Sequence, residues 1–347
     1  MTSSRLSDRV GRPVAPTAPQ HPDITEWRAA TTDDIDAIHA VFAASDAIDH
    51  PTWITPRQDI ADIFELSHVD ARRDTLVAIA PGGELVAAGT AMLHPSRVDG
   101  KLSVDIGDAV HPDWRRRGIG GALLRWLDAR GAEQVATAAV ALEGGGSEGL
   151  LKVYAREDNL GHVAIAERLS YVPERWFSTM VRDLGDALPD VTTPEGITVV
   201  TYDRARDSDA LAARNDAFRD HWGSLPSNPE RWQQFVGGDF FRPDLSRMAV
   251  DAEGTIVAFC LASVNEDDFA ALGASHAYID LIGVIRSHRR RGLAPLVVSA
   301  ALRAIADANL EKAVLDVDTD SPTGANTLYE GLGFAFTERD VALVRRL

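Results

Sequence analysis

An α/β fold in two tandem copies is what this sequence predicts, and three observations point to it. The pattern Arg-x-x-Gly-x-Gly/Ala occurs twice, as Arg115, Gly118 and Gly120 and again as Arg289, Gly292 and Ala294. Each copy follows a short β-rich run, Leu102 to Val110 in one case and His276 to Val284 in the other. Each also opens an amphipathic helix, and the two apolar faces superimpose: Ile119, Ala122, Leu123, Trp126 and Leu127 against Leu293, Leu296, Val297, Ala300 and Ala301. A chain of 347 residues holds two such units, each long enough to bury a core without disulfide or metal.

In chain order, the first half opens with a strand at Trp27 to Ala30 and a helix from Thr32, with Asp33 and Asp34 in its first turn. Pro81-Gly82-Gly83 turns a hairpin between Thr75 to Ala80 and Glu84 to Met92. Four glycines between Glu143 and Gly149 predict a flexible connection before the strand Leu150 to Ala155. The second half repeats the plan: a strand at Ile197 to Tyr202, a helix at Ser208 to Trp222, and a hairpin turned at Asp251 to Gly254. Pro189, Pro194, Gly185 and Gly196 mark a linker between the halves. The division expected is a disordered tail over 1–24, one domain over 25–186 and a second over 187–347.

A net charge of −17 and a pI near 5.0 exclude nucleic acid and anionic membrane surfaces as natural partners. No apolar run approaches the roughly 20 residues of a membrane span, and the Ser/Pro/Thr-rich start lacks a signal-peptide core. The single cysteine, Cys260, lies in the apolar run Ile256 to Val264 and reads as a buried small hydrophobe. A cytoplasmic protein without a metal site is expected.

The repeated loop has a physical use. Backbone N–H groups at a helix start lack internal partners and point outward with the positive end of the helix dipole, while a glycine there admits a close anion. The alternative for Arg115-Arg116-Arg117 and Arg289-Arg290-Arg291 is a solvated charge run. Duplication ahead of Gly-x-Gly/Ala favours a phosphate site.

With these residues in place the chain resembles the GCN5-related N-acetyltransferase (GNAT) family, whose acyl-CoA motif reads Arg/Gln-x-x-Gly-x-Gly/Ala. The resemblance covers both halves and implies two tandem domains, each a mixed central sheet flanked by helices. It further implies that the amides of Arg291, Gly292, Leu293 and Ala294 grip the CoA pyrophosphate, with Arg289 and Arg290 near its phosphates. Arg115, Arg116, Arg117, Gly118, Ile119, Gly120 and Gly121 would do the same in the first half. A second signature runs from Ser321-Pro322, as N-cap and first helical residue, through Ala325, Leu328 and Tyr329 to Gly333-Phe334.

Acyl transfer to an amine needs a base, an oxyanion donor and a proton for the leaving sulfur. The resemblance assigns the oxyanion to a backbone N–H near Val284 and the proton to Tyr329; without it, Tyr329 reads as an aromatic packed on Leu328. Alternation places Asp280 on one face with Tyr278, Ile282 and Val284, as a base or as a solvated or paired carboxylate. Asn215, His221 and Trp222 are candidate contacts to the acceptor, with core packing and solvent exposure as the competing reading. In the first half Ala166 stands where Tyr329 should, and Ser170 replaces the glycine before the aromatic. The expected function is therefore an N-acetyltransferase that uses acetyl-CoA as co-substrate and acts on a small-molecule amine, with its chemistry in the second half. The alternative is a non-catalytic acyl-CoA-binding protein of the same fold.

Overall fold

A computed structural model describes residues 5–50, 52–321 and 324–347. The chain forms two compact units, residues 1–175 with 340–347 and residues 176–339.

Unit 1 begins with the short helix α1 (Leu6–Val10) and the strand β1 (Glu26–Arg28), followed by α2 (Ile35–Asp49), α3 (Arg57–Glu65) and α4 (Ala71–Asp74). Strands β2 (Thr75–Ile79), β3 (Leu85–Leu93) and β4 (Lys101–Val110) form an antiparallel meander with β1 at its edge. Helix α5 (Ile119–Ala141) then crosses over to β5 (Glu148–Arg156), which pairs parallel with β4. Helix α6 (Leu160–Arg168) leads into β6 (Val172–Asp183).

α5 lies close on the sheet because its apolar face is continuous and small where it crosses. Ile119, Leu123, Leu124 and Leu127 are buried, and a Cβ at Gly131 would stand 3.0 Å from Leu151 Cδ2 and 3.1 Å from Val104 Cγ1. Around Gly131 the helix also carries buried polar groups. Arg130 binds Asp74 and Glu133, and Gln134 Nε2 donates to Asp74 at 2.8 Å and to the Ala91 carbonyl at 3.0 Å. These buried charges are paired, which is what makes their burial tolerable.

Where composition predicts disorder over 1–24, α1 is helical and Leu6 is wholly buried. Its N–H donates to Gly146 O at 3.2 Å, and Gly144, Gly145 and Gly146 all have positive φ in a turn built against it. The glycine run expected as a flexible connection is thus a packed turn.

Unit 2 repeats the plan. β7 (Thr198–Thr201), α7 (Asp207–Ala217), α8 (Pro229–Gly237), β8 (Arg247–Val250) and β9 (Ile256–Ser263) precede the short α9 (Phe269–Leu272). Then come β10 (His276–Val284), α10 (Leu293–Asp307), β11 (Lys312–Asp318), α11 (Ala325–Gly331) and β12 (Ala335–Arg346). β7 to β10 are antiparallel neighbours, and β10 pairs parallel with β11. One apolar cluster lies under α10 and α11, and a second, with Trp232, Phe241 and Phe259, lies under α7 and α8.

The final strand of each half is exchanged. Phe177–Asp183 of β6 pairs antiparallel with β11 and closes the sheet of unit 2, whereas Asp340–Arg346 of β12 pairs antiparallel with β5 and closes that of unit 1. The sequence division at 186/187 therefore falls in the linker but not between the compact bodies. An arginine secures each strand. Arg182 of β6 donates to the Leu332 and Ala187 carbonyls, and Arg345 of β12 grips Asp128 on α5 at 2.7 and 3.0 Å, where Tyr171 Oη also donates.

Candidate functional site

In unit 2 the parallel pairing of β10 with β11 runs only from His276–Lys312 to Tyr278–Val314, although both strands continue. They part because β10 bulges at Asp280, where its register against β9 slips between Ile279 and Leu281. The bulge corrects the alternation expected from sequence. Ile279, Ile282 and Val284 now pack on the α10 side, while Leu281 belongs to the cluster under α7. Tyr278 and Ile282 consequently lie on opposite faces. Asp280 itself accepts a hydrogen bond from Ser263 Oγ at 3.0 Å.

Past the bulge, the Ile285 N–H donates to Val257 O at 3.0 Å, which fixes a hydrogen-bonded pair there. Pairs alternate along an antiparallel ladder, so Val284, opposite Ala258, is in a non-hydrogen-bonded pair and turns its N–H away from β9. It faces the gap that β11 has left.

The loop that follows is shaped by its backbone. Arg290 and Gly292 have φ of +61° and +77°, and in unit 1 Arg116 and Gly118 have +64° and +95°. Arg290, Arg291 and Gly292 are exposed, as are Arg116, Arg117 and Gly118. Both glycines are helix N-caps without a side-chain cap, and the first intrahelical bonds go from Leu296 to Gly292 and from Ala122 to Gly118. The N–H groups of Gly292, Leu293 and Ala294, and of Gly118, Ile119, Gly120 and Gly121, are thus left for an external acceptor.

The leading arginine of each motif does something else. Arg289 donates to Asp220 at 2.9 Å and to the Ala217 carbonyl at 2.8 Å, and Arg115 donates to Asp49 at 2.5 and 2.9 Å, to Ser45 at 2.8 Å and to the Val110 carbonyl at 3.1 Å. These two guanidinium groups are turned inward to pin the loop to the end of α7 or α2. The Arg289 side chain, expected near the phosphates, is thus bonded to Asp220 and the Ala217 carbonyl. In unit 1, His21 Nε2 also meets the Arg117 carbonyl at 2.8 Å.

Tyr329 lies on α11, buried to 8% exposure, with its ring 6.0 Å from Phe334 in a T-shaped contact. Burial, with the buried Cys260 nearby, pushes its phenol well above the ordinary range. α11 starts at Ala325 behind Gly324, whose φ is +72°, so Ser321 is not its N-cap; Pro322 lies outside the described residues. In unit 1 the Tyr171 N–H returns to Ala166 O as that of Phe334 does to Tyr329 O, and Ser170 adopts the positive φ of Gly333. Ala166 is therefore the structural counterpart of Tyr329.

α7, which bears one of the residues expected to contact the acceptor, ends at Ala217, five residues before the end expected from sequence. Asn215 is the reason: its amide brackets Ser227, accepting from the N–H and donating to the carbonyl at 2.9 Å each, and draws the chain into a loop. The amide of Asn215, expected to contact the acceptor, is bonded to Ser227 in this structure. His221 and Trp222 sit in that loop. The His221 ring lies tilted against Phe218 at 4.6 Å, and burial, then the charge of Arg289, lowers its pKa. Trp222 lies 6.1 Å from Phe177, which the β6 register sets opposite Asp318. Tyr278 Oη and Thr179 Oγ1 both donate to Asp316 at 2.6 Å. Phe177 and Thr179 were not foreseen, because they come from the first half of the sequence.

Among the described residues no group of three or more His, Cys, Asp or Glu is gathered as for a metal ion, and no helix is long and apolar enough to cross a membrane.

Comparison with known proteins agrees with this geometry. The model of the acetyltransferase (GNAT) family matches residues 38–156 and 209–334. A mycothiol acetyltransferase of Tsukamurella paurometabola is 31% identical over 273 residues, covering 76% of this chain and 85% of that protein. Among solved structures, a GCN5-related N-acetyltransferase from Sphaerobacter thermophilus superposes with a TM-score of 0.68 at 24% identity, over 94% of this chain and 97% of the other. A tandem GNAT protein from the clavulanic acid biosynthesis pathway gives 0.63 at 18% identity, over 92% and 98%. With the loop present in both units, and the family match falling once in each half of the sequence, the chain belongs to the GNAT family and is an acetyltransferase with two copies of its domain.

Proposed function

We propose that unit 2 transfers an acetyl group from acetyl-CoA to the amine of a small molecule, and that unit 1 holds acyl-CoA at its own loop. The observation that carries the choice of unit is Tyr329, a buried phenol where unit 1 has the methyl group of Ala166. The pyrophosphate is received by the free amides of Gly292, Leu293 and Ala294, with Arg290 and Arg291 as exposed charges at the rim. The acyl arm then runs into the gap between β10 and β11.

There the amine nitrogen adds to the thioester carbon, and the carbonyl oxygen takes negative charge and accepts the Val284 N–H. The C–S bond breaks, its electron pair stays on sulfur, and Tyr329 gives that sulfur a proton. Burial that raises the phenol raises the basicity of the departing thiolate as well, which keeps the two matched for the transfer, and the phenolate left behind takes a proton back from water as CoA leaves. The proton lost by the amine leaves through a water to Asp280, which also accepts from Ser263. His221, with its pKa lowered, stays neutral at pH 7 and receives the acceptor beside Trp222. The name mycothiol acetyltransferase carried by the relative supports a small acceptor rather than a protein.

Tyr329→Phe tests the assignment. Thiol release from acetyl-CoA across a panel of small amines should fall about 100-fold in kcat, within the range expected for loss of a general acid, with CoA affinity unchanged. Wild-type turnover would remove Tyr329 from the reaction, and a wild-type chain that releases no thiol with any amine would indicate a binding protein instead.

A further inference from the structure

Unit 1 lacks the phenol but brings a different ionisable pair together beside the corresponding strand. β4 and β5 pair in parallel only as far as Ile106–Val153, and the His111 N–H donates to Val86 O at 2.9 Å. By the alternation of the ladder, Asp108 and Val110 therefore turn their N–H groups into the space that β5 has vacated. The carboxylate of Asp108, its side chain 7% exposed, lies 3.2 Å from Nε2 of His162.

His162 occupies the first turn of α6, where its N–H is capped by Asn159 Oδ1 at 3.2 Å. It is one helical turn before Ala166, so the two share a face, and that face is the counterpart of the one bearing Tyr329. The neighbouring Gly161 is close to the loop: a Cβ there would lie 3.9 Å from Arg116 Nη1. Burial works against a proton on His162, but the charge and hydrogen bond of Asp108, helped by Asp49 and opposed by Arg115, outweigh it. The pKa of the ring is thereby raised above its ordinary value, and in the protonated form Nε2 faces Asp108 while Nδ1 carries the second proton.

We propose that unit 1 has its own proton donor, in which His162, oriented by Asp108, protonates the sulfur of an acyl-CoA thioester held at the Arg116 to Gly121 loop. The proposal rests on the reading that unit 1 binds acyl-CoA. With water as nucleophile, oxygen adds to the thioester carbon, the C–S bond breaks with its electron pair on sulfur, and the His162 proton passes to that sulfur. The proton shed by the water restores the imidazolium, so the products are a carboxylic acid and CoA thiol.

The test uses the full chain carrying Tyr329→Phe, which removes the donor of unit 2. CoA bound per chain is counted by calorimetry, and thiol release from acetyl-CoA is followed from pH 5.5 to 9.5. Two CoA per chain and a residual release that declines as pH rises through the His162 pKa are expected. Adding His162→Gln should lower that release at least tenfold and flatten its pH limb. Adding Asp108→Asn instead, which keeps a hydrogen-bonding side chain and removes the charge, should shift the limb to lower pH. Melting curves of each variant show whether it is folded, and the Asp108→Asn shift remains as a readout if His162→Gln is not. Two bound CoA with no residual release, or a rate and profile that His162→Gln leaves unchanged, overturns the proposal while unit 1 binding stands. A single CoA per chain overturns it by ending the binding reading itself.

Discussion

Gly292 has a φ of +77°, and nothing stands within 4 Å of where its Cβ would be, so the position is open to a ligand but closed to most side chains. Gly292→Asp combines backbone strain of about 1 kcal/mol with a negative charge among the free amides. CoA binding in unit 2 should be lost, with one site remaining by calorimetry; two undiminished sites would contradict the cradle. Away from the loop, Asp34 is held from the usual 3.8 down to about 2, chiefly by its hydrogen bond from Arg28, with Thr31 and the Arg28 charge assisting and burial opposing. A lowered carboxylate stabilises the fold above its unfolded pKa, and that contribution disappears as pH falls through the folded value. Arg28→Ala should therefore cost about 1 to 2 kcal/mol at neutral pH, and the difference from wild type should vanish between pH 4 and 2 in urea titrations. Such local features are also the ones legible in sequence. Gly118 and Gly292 announce themselves because a positive φ before a helix is a requirement of the residue itself, whereas the inward turn of Arg115 and Arg289 depends on Asp49 and Asp220, far away in the chain.

α7 packs closely on β10. A Cβ at Gly283 would lie 2.8 Å from Phe259 Cε1 and 3.0 Å from Ala217 Cβ, and Phe259 is only 1% exposed and has nowhere to move. Gly283→Ala should destabilise unit 2 by about 1 to 3 kcal/mol and displace Val284, lowering both melting temperature and turnover; unaltered values would mean that α7 yields freely. Asn215→Ala frees the loop after α7 from Ser227 and should raise the acceptor KM while leaving CoA affinity alone. Steady-state kinetics with each substrate varied in turn separates the two. Most strands and helices were readable from period and turn residues. The bulge at Asp280 and the early end of α7 were not, since the first is a register slip against β9 and the second a tertiary bond to Ser227.

For the molecule as a whole, the apolar period shows that β6 and β12 are strands but not which strand each will join, because pairing partners are chosen by the assembled sheet edge. Phe177 could be assigned to the acceptor side only once β6 was seen against β11. The exchange makes a counterintuitive prediction: removing residues 335–347, at the far end of the second half, should loosen unit 1. Arg345 and Arg346 hold Asp128, Glu148 and Glu174 there. Hydrogen exchange on the shortened chain should show β5 and α5 losing protection more than β9 and β10, and the reverse order would be evidence against the exchanged pairing.

The exchange also sets a timetable for synthesis. β5 emerges from the ribosome with its outer edge bare and cannot be covered by Asp340–Arg346 until the intervening polypeptide has been made. At roughly 5 to 20 residues per second that is a delay on the order of ten to forty seconds. Throughout it, an unpaired strand edge is available to chaperones or to other nascent copies. Slow-translating hosts should accordingly yield more aggregate of this protein than of a GNAT enzyme whose domains each keep their own last strand.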